Sequence, residues 1–160
     1  QNPDAIIVID TMNLWIETTL SSLEKVLSDS NILLINESEA FLLTNENDIN
    51  NSARSLLKMG PEIVVIKKGS RGAELFSLTE HIAVDAFPVT NVVDPTGAGD
   101  VFAGAFVASL ANEDSKETAL LNASASASIS IESFGIEKLQ SVSNNEINDR
   151  INFLNKTLKS

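Results

Sequence analysis

Short aliphatic runs spaced about thirty residues apart constrain the fold of this chain more than any other feature. Ala5 to Ile9 and Ile32 to Ile35 are nearly continuous apolar stretches, and Ile63 to Lys67 is a β-branched one. Runs of that length without polar alternation suit strands buried on both faces of a parallel sheet. Parallel neighbours need crossovers, and helical segments lie between the runs. Thr18 to Leu27 sets Leu20, Leu23, Val26 and Leu27 on one side of a helix; Ser38 to Leu43 and Asn51 to Met59 are two further helical pieces, and Gly60-Pro61 ends the second. A tight Gly69-Ser70-Arg71-Gly72 turn follows the third run. Ala73 to Ser77 and Ile82 to Ala86 then read as a hairpin with Thr79-Glu80-His81 at its tip. Ala98 to Leu110, the Ala/Ser-rich stretch Lys116 to Ile131, and Asn145 to Leu158 are helical. The alternation predicts a single α/β domain over residues 1–160, with a largely parallel sheet flanked by helices on both faces.

The stretch from Val93 to Gly104 carries the chemistry. Asp94-Pro95-Thr96-Gly97-Ala98-Gly99-Asp100 is a loop with two glycines, and it feeds a small-residue helix at once. A glycine turn at a helix N-terminus leaves backbone N–H groups without intrahelical partners, and the helix dipole adds positive potential there. Such a place suits an anion. Asp100 falls in the first helical turn, close to whatever binds. Amides that stabilise a transferring phosphoryl group, beside a carboxylate that takes a hydroxyl proton, are what phosphoryl transfer to an alcohol requires. A plain glycine turn with Asp100 as a helix cap is the alternative that the residues by themselves leave open.

The whole string, with Phe102-Ala103-Gly104 behind it, resembles the signature of the ribokinase/PfkB family of carbohydrate and nucleoside kinases. The resemblance implies a ribokinase-like fold and ATP-dependent phosphorylation of a sugar or nucleoside hydroxyl. Asp100 would be the catalytic base, with Gly97, Ala98 and Gly99 forming the anion hole. Pro95 stands where the family more often has Thr, a departure in the loop before the hole. Asn36-Glu37-Ser38-Glu39 resembles the family's N-x-x-E motif, which implies that Asn36 and Glu39 organise Mg2+ and phosphate; the same pattern is also a helix capping box. Asp10 and Asn13 resemble a D-x-N segment at an equivalent strand end.

Val65 to Ala73 resembles the strand and turn that border the nucleotide in the family. Gly69 and Gly72 match it. Lys67 replaces a common Thr and is placed to reach a phosphate, although Lys67 and Lys68 also read as solvated edge charges. Asn122 and Gly135, the latter in a Ser133-Phe134-Gly135 corner, match segments on the adenine side. Asp94 corresponds to a residue that many relatives use for a monovalent cation, K+.

Composition narrows the partners. Eleven basic against 22 acidic residues give a net charge of −11, which argues against nucleic-acid binding. No apolar run reaches the length of a membrane span, and the absence of cysteine fits a reducing, cytoplasmic setting. There is no G-x-x-x-x-G-K-[ST], so a P-loop is excluded. His81, the lone histidine, reads as structural. Trp15 reads either as a lid over the edge of the site or as a core residue.

The resemblance covers nearly the whole chain but the C-terminal half of the family alone. The other half supplies most of the acceptor pocket and a small β lid. A fragment with the base, the anion hole and the nucleotide side is therefore expected. It should bind nucleotide weakly, phosphorylate no sugar alone, and associate with a copy of itself or a partner half. The alternatives are a non-catalytic nucleotide-binding remnant and a kinase for a vitamin-like heteroaromatic alcohol.

Overall fold

The computed structural model describes residues 5–160, and Gln1-Asn2-Pro3-Asp4 lies outside the described residues. Five strands are hydrogen-bonded in the order β1-β2-β3-β4-β5: β1 (Val8–Asp10), β2 (Ile32–Asn36), β3 (Ile63–Lys67), β4 (Ala73–Phe76) and β5 (His81–Val84). The helices are α1 (Asn13–Thr18), α2 (Leu20–Ser28), α3 (Glu37–Thr44), α4 (Ile49–Leu57), α5 (Ala98–Ala111), α6 (Lys116–Ser130), α7 (Glu137–Ser141) and α8 (Asn144–Asn155). No helix among the described residues is long and apolar enough to cross a membrane.

The chain divides into two compact units. The first runs to Lys68 and takes in Glu74–His81; the second holds Gly69–Ala73 and Ile82–Ser160. In the first unit β1, β2 and β3 are parallel, with Val8 opposite Ile32 and Ile32 opposite Ile63. That register brings Asp10, Asn36 and Lys67, the last residues of their strands, to one end of the sheet. Leu33, Ile35, Val64 and Ile66 build the core with Leu23, Leu27, Ala53 and Leu56 from the helices. Gly60 makes this packing possible, because a Cβ there would stand 2.5 Å from Ser28 Cα.

Several expectations change here. The first strand spans Val8–Asp10 and is partly covered, with Ile6 and Ile7 exposed, since β1 ends the strand order and pairs on one side. The helix expected from Thr18 is two helices. The hydroxyls of Thr18 and Thr19 bond back to Leu14 O and Trp15 O, and the chain breaks at Thr19 before α2. Leu23 and Leu27 are buried, whereas Leu20 and Val26 are exposed; Trp15 is exposed too and so is no core residue. His81 is not at the hairpin tip but begins β5. Its ring stacks on Phe76 at 4.3 Å, and Nε2 lies 2.7 Å from Glu74 Oε2. Lys68 is no solvated edge charge, because it shares that Glu74 carboxylate.

In the second unit α5 buries Phe102 and Phe106, while α6 buries Ala119, Leu120, Ala123 and Ile129. Their Ala- and Ser-rich faces allow a close approach. Ser109 on α5 is buried and accepts a hydrogen bond from Asn122 on α6 at 2.7 Å. Arg150 on α8 is buried as well. It donates to Ser128, Glu132 and Glu146, and its guanidinium lies 4.6 Å over the Phe87 ring.

Candidate functional site

The head of α5 is open. Its N-cap is Gly97 at φ +78°, a left-handed conformation, and no side chain caps this end. A glycine is tolerated there for its backbone alone, since a Cβ would meet nothing within 4 Å. Ala98 N–H donates to Pro95 O at 3.2 Å, and Val101 N–H makes the first intrahelical bond, to Gly97 O at 3.0 Å. The amides of Gly99 and Asp100, in the first turn, have no intrahelical acceptor. Asp100 is exposed in that turn. The reading of Asp100 as a mere cap therefore finds no capping bond to support it.

The approach to this helix is anchored. Val93 N–H and Asp94 N–H both donate to Ile131 O, at 2.7 and 3.2 Å, where α6 ends. Asp94 Oδ1 accepts Thr96 N–H at 2.9 Å, and the hydrogen bonds of Thr96 hold this carboxyl below the usual range. A monovalent-cation role for Asp94 rests on the resemblance alone. Gly135 adopts φ +56° at an open corner between exposed Phe134 and Ile136. The sequence did not disclose that Ile131 ties the loop to α6.

The carboxyl ends of β1, β2 and β3 are closed by contrast. Asn36 caps α3, its Oδ1 accepting Glu39 N–H at 2.8 Å, while Asn36 N–H donates to Glu39 Oε2 at 3.1 Å. This is a complete capping box. Ser38 Oγ adds a 2.7 Å bond to the same Asn36 oxygen. Glu39 is buried, and burial raises its pKa against the opposing pull of the Asn36 N–H and Lys67; the Asp10 charge raises it further. Lys67 Nζ pairs with Asp10 Oδ2 at 2.5 Å, and Asp10 Oδ1 accepts Thr11 N–H. Thr11 Oγ1 is buried without a hydrogen-bond partner. Sequence reasoning treats Asp10 and Lys67 separately. Their shared position as last residues of parallel strands is the signal that joins them. Asn13 opens α1 and is exposed.

The turn after β3 is shaped by backbone. Gly69 sits at φ +58° in open space, but Gly72 (φ +93°) faces Val84 O, which a Cβ would meet at 2.0 Å. Among the described residues no three His, Cys, Asp or Glu side chains gather as a metal cage.

Comparison with known proteins identifies the family. A model of the pfkB family carbohydrate kinases matches residues 4–141. The ribokinase of Bacillus subtilis is 33% identical over 114 residues, which is 71% of this chain and 37% of that protein. A cytidine kinase of Thermococcus kodakarensis is 39% identical over 88 residues, 54% of this chain and 31% of the relative. The Arabidopsis thaliana ribokinase solved with ribose and ATP superposes with a TM-score of 0.75 at 26% identity, covering 92% of this chain and 47% of that one. An Escherichia coli protein assigned as a ribokinase II, solved with ATP and Mg2+, gives 0.79 at 29% identity, covering 93% and 49%. The chain belongs to the PfkB family of carbohydrate kinases and has a ribokinase-like α/β fold. It spans about a third of the length of these curated relatives and about half of these solved chains.

Proposed function

We propose that this chain is the catalytic, nucleotide-side part of an ATP-dependent kinase acting on a hydroxyl of a sugar or nucleoside. The observation that carries the reading is the head of α5, with its left-handed glycine, uncapped amides and exposed Asp100. Asp100 takes the proton of the attacking hydroxyl while that oxygen bonds to the γ-phosphorus and ADP departs. The amides of the Gly97-Ala98-Gly99 segment stabilise the charge on the transferring group. Gly99 serves this most directly, since Ala98 N–H is already shared with Pro95 O. The ribokinases and the cytidine kinase among its relatives support a sugar or nucleoside acceptor. Gly69 and Gly72 shape the turn toward the nucleotide, and Asn122 and Gly135 belong to its adenine side.

The corner of Asp10, Asn36 and Glu39 fits a hydrated Mg2+. It offers hard oxygen ligands in the Asp10 and Glu39 carboxylates and the Asn36 side-chain oxygen. A magnesium ion held there through water would supply positive charge. Asn36 and Glu39 orient its waters from a rigid capping box.

Calorimetric titration with ADP and ATP tests the nucleotide side on the 160-residue chain, where weak binding is expected. A coupled ADP-release assay with ribose, cytidine and other acceptors tests the chemistry. We expect no turnover from these residues alone, and turnover from a longer polypeptide that carries them. Robust turnover with Asp100→Asn in that polypeptide would overturn the assignment of the base.

A further inference from the structure

A side chain joins the carboxyl ends of β1 and β3. Lys67 lies in register with Asn36, at the end of β2, yet its Nζ passes that strand and reaches Asp10 on β1. The pair is partly covered, with side chains 16% and 28% exposed, although Asp10 as a whole residue is exposed. A lysine that gives up its rotamer freedom to cross a strand end needs a strong electrostatic reason. Here the reason is two acidic side chains, Asp10 and the buried Glu39, facing the same corner. With Lys67 present, the formal charge of the corner is −1; without it, −2.

We infer that Lys67 is a built-in counter-cation of this corner, which competes with a hydrated divalent cation for Asp10 and thereby sets the affinity for metal. The inference rests on the proposed role of Asn36 and Glu39 in organising Mg2+. Lys67 is a positioning residue that acts through Asp10 and touches no reacting atom. Cation affinity at oxygen sites follows the number of ligand charges, and a tethered ammonium cancels one of them. A lysine serving merely as a strut from β3 to β1 would affect stability and leave metal affinity unchanged.

The test uses Mn2+ as the probe, bound to the full chain without nucleotide and followed by the electron paramagnetic resonance of the free ion. Lys67→Met should bind Mn2+ about tenfold more tightly than the unchanged chain. Lys67→Arg, which keeps the charge, should retain the original affinity. Adding Asp10→Asn to Lys67→Met should abolish the gain. A measurement without substitution accompanies these: titrating Mg2+ should move the carboxyl 13C signal of Asp10 and the ammonium signal of Lys67. A Met variant that binds no more tightly, or signals that stay put during binding, overturns the inference. Equal binding by all Lys67 variants, with loss in Glu39→Gln, leaves the metal assignment standing and removes the role of Lys67. No Mn2+ binding by any variant removes both.

Discussion

The ends of β1–β3 and the head of α5 treat their polar groups in opposite ways. At the strand ends, Asn36 and Glu39 satisfy each other's backbone amides, and Lys67 neutralises Asp10. At the head of α5, a glycine stands where a capping side chain would stabilise the helix, and Asp100 faces solvent. Ser, Thr, Asp or Asn at that N-cap would be worth about 1 kcal/mol. The helices α3, α4, α6 and α8 each have such a residue, in Asn36, Asp48, Ser115 and Ser143. Helices α1, α2 and α7 also lack a side-chain cap, but α5 differs from them in having a left-handed glycine at its N-cap. Where α5 begins, that stabilisation is forgone, as the proposed anion site requires.

The largest expected effect separates the two regions by what is lost. In the longer polypeptide that carries these residues, Asp100→Asn should lower turnover about 100-fold or more, in the range of general acid–base groups. Its melting temperature should hardly move, because the side chain is exposed and caps nothing. Nucleotide affinity should be retained as well, since in the proposed site the amides and not the carboxylate hold the phosphates. A normal rate measured beside an unchanged melting curve would break the contrast, leaving the open helix end without a chemical explanation.

Asn36→Ala tests the closed region and should show the reverse order of damage. The substitution removes the acceptor for Glu39 N–H and for the Ser38 hydroxyl. The expected loss is about 1–2 kcal/mol of stability, read in urea unfolding at neutral pH. Stability unaffected by this change would mean that the capping box contributes little, and that Asn36 is kept for the metal alone.

Gly97→Ala should cost no more stability than that. Its φ of +78° penalises a Cβ, but open space surrounds the position. Left-handed backbone costs a non-glycine residue about 1–2 kcal/mol, so a modest loss of stability is expected. Phosphate affinity, followed by amide shifts of Gly99 and Asp100, should fall as the loop relaxes. Unchanged shifts during phosphate titration would show that this loop does not cradle an anion.

Much of this was legible in sequence, for particular reasons. Strand β3 covers the residues that the β-branched run marked, and β2 extends its run by one, because a covered parallel strand has to be apolar throughout. The N-x-x-E pattern announced its capping box because that box is local, spanning four residues. The Asp10–Lys67 pair was not legible, since 57 residues separate its members and the register alone brings them together. Helix α1 escaped notice because its six residues include a single buried one, Ile16, and carry no capping side chain. The side of α2 was misread at Leu20 and Val26, where an apolar residue signals a core only if something covers it. His81 looked like a tip residue because polarity marks turns, but its ring had Phe76 to stack on and Glu74 to pair with.

The smallest effect concerns acid, and its sign distinguishes two carboxylates of one unit. Burial raises the pKa of Glu39 above the ordinary 4.5. The folded form therefore holds the Glu39 proton at pH values where the unfolded chain has released it. Stability from this group is fully present below pH 4.5 and is lost as pH rises through the raised folded value. For Glu74, burial also pushes upward, but the hydrogen bonds and charges of Lys68 and His81 outweigh it and lower the pKa. Its contribution is present above pH 4.5 and disappears as pH falls through the lowered folded value. Denaturant unfolding from about pH 3.5 to about pH 6.5, a window chosen around the ordinary glutamate value, should make the difference visible. Acidification should favour the unchanged chain over Glu39→Gln, and should erode its advantage over Glu74→Gln. If both variants run parallel to the unchanged chain, neither corner holds its carboxylate as the packing and pairing require. If Glu39→Gln alone runs parallel, its carboxylate is better solvated than its burial implies, and the closed region is more open to water than the capping box suggests.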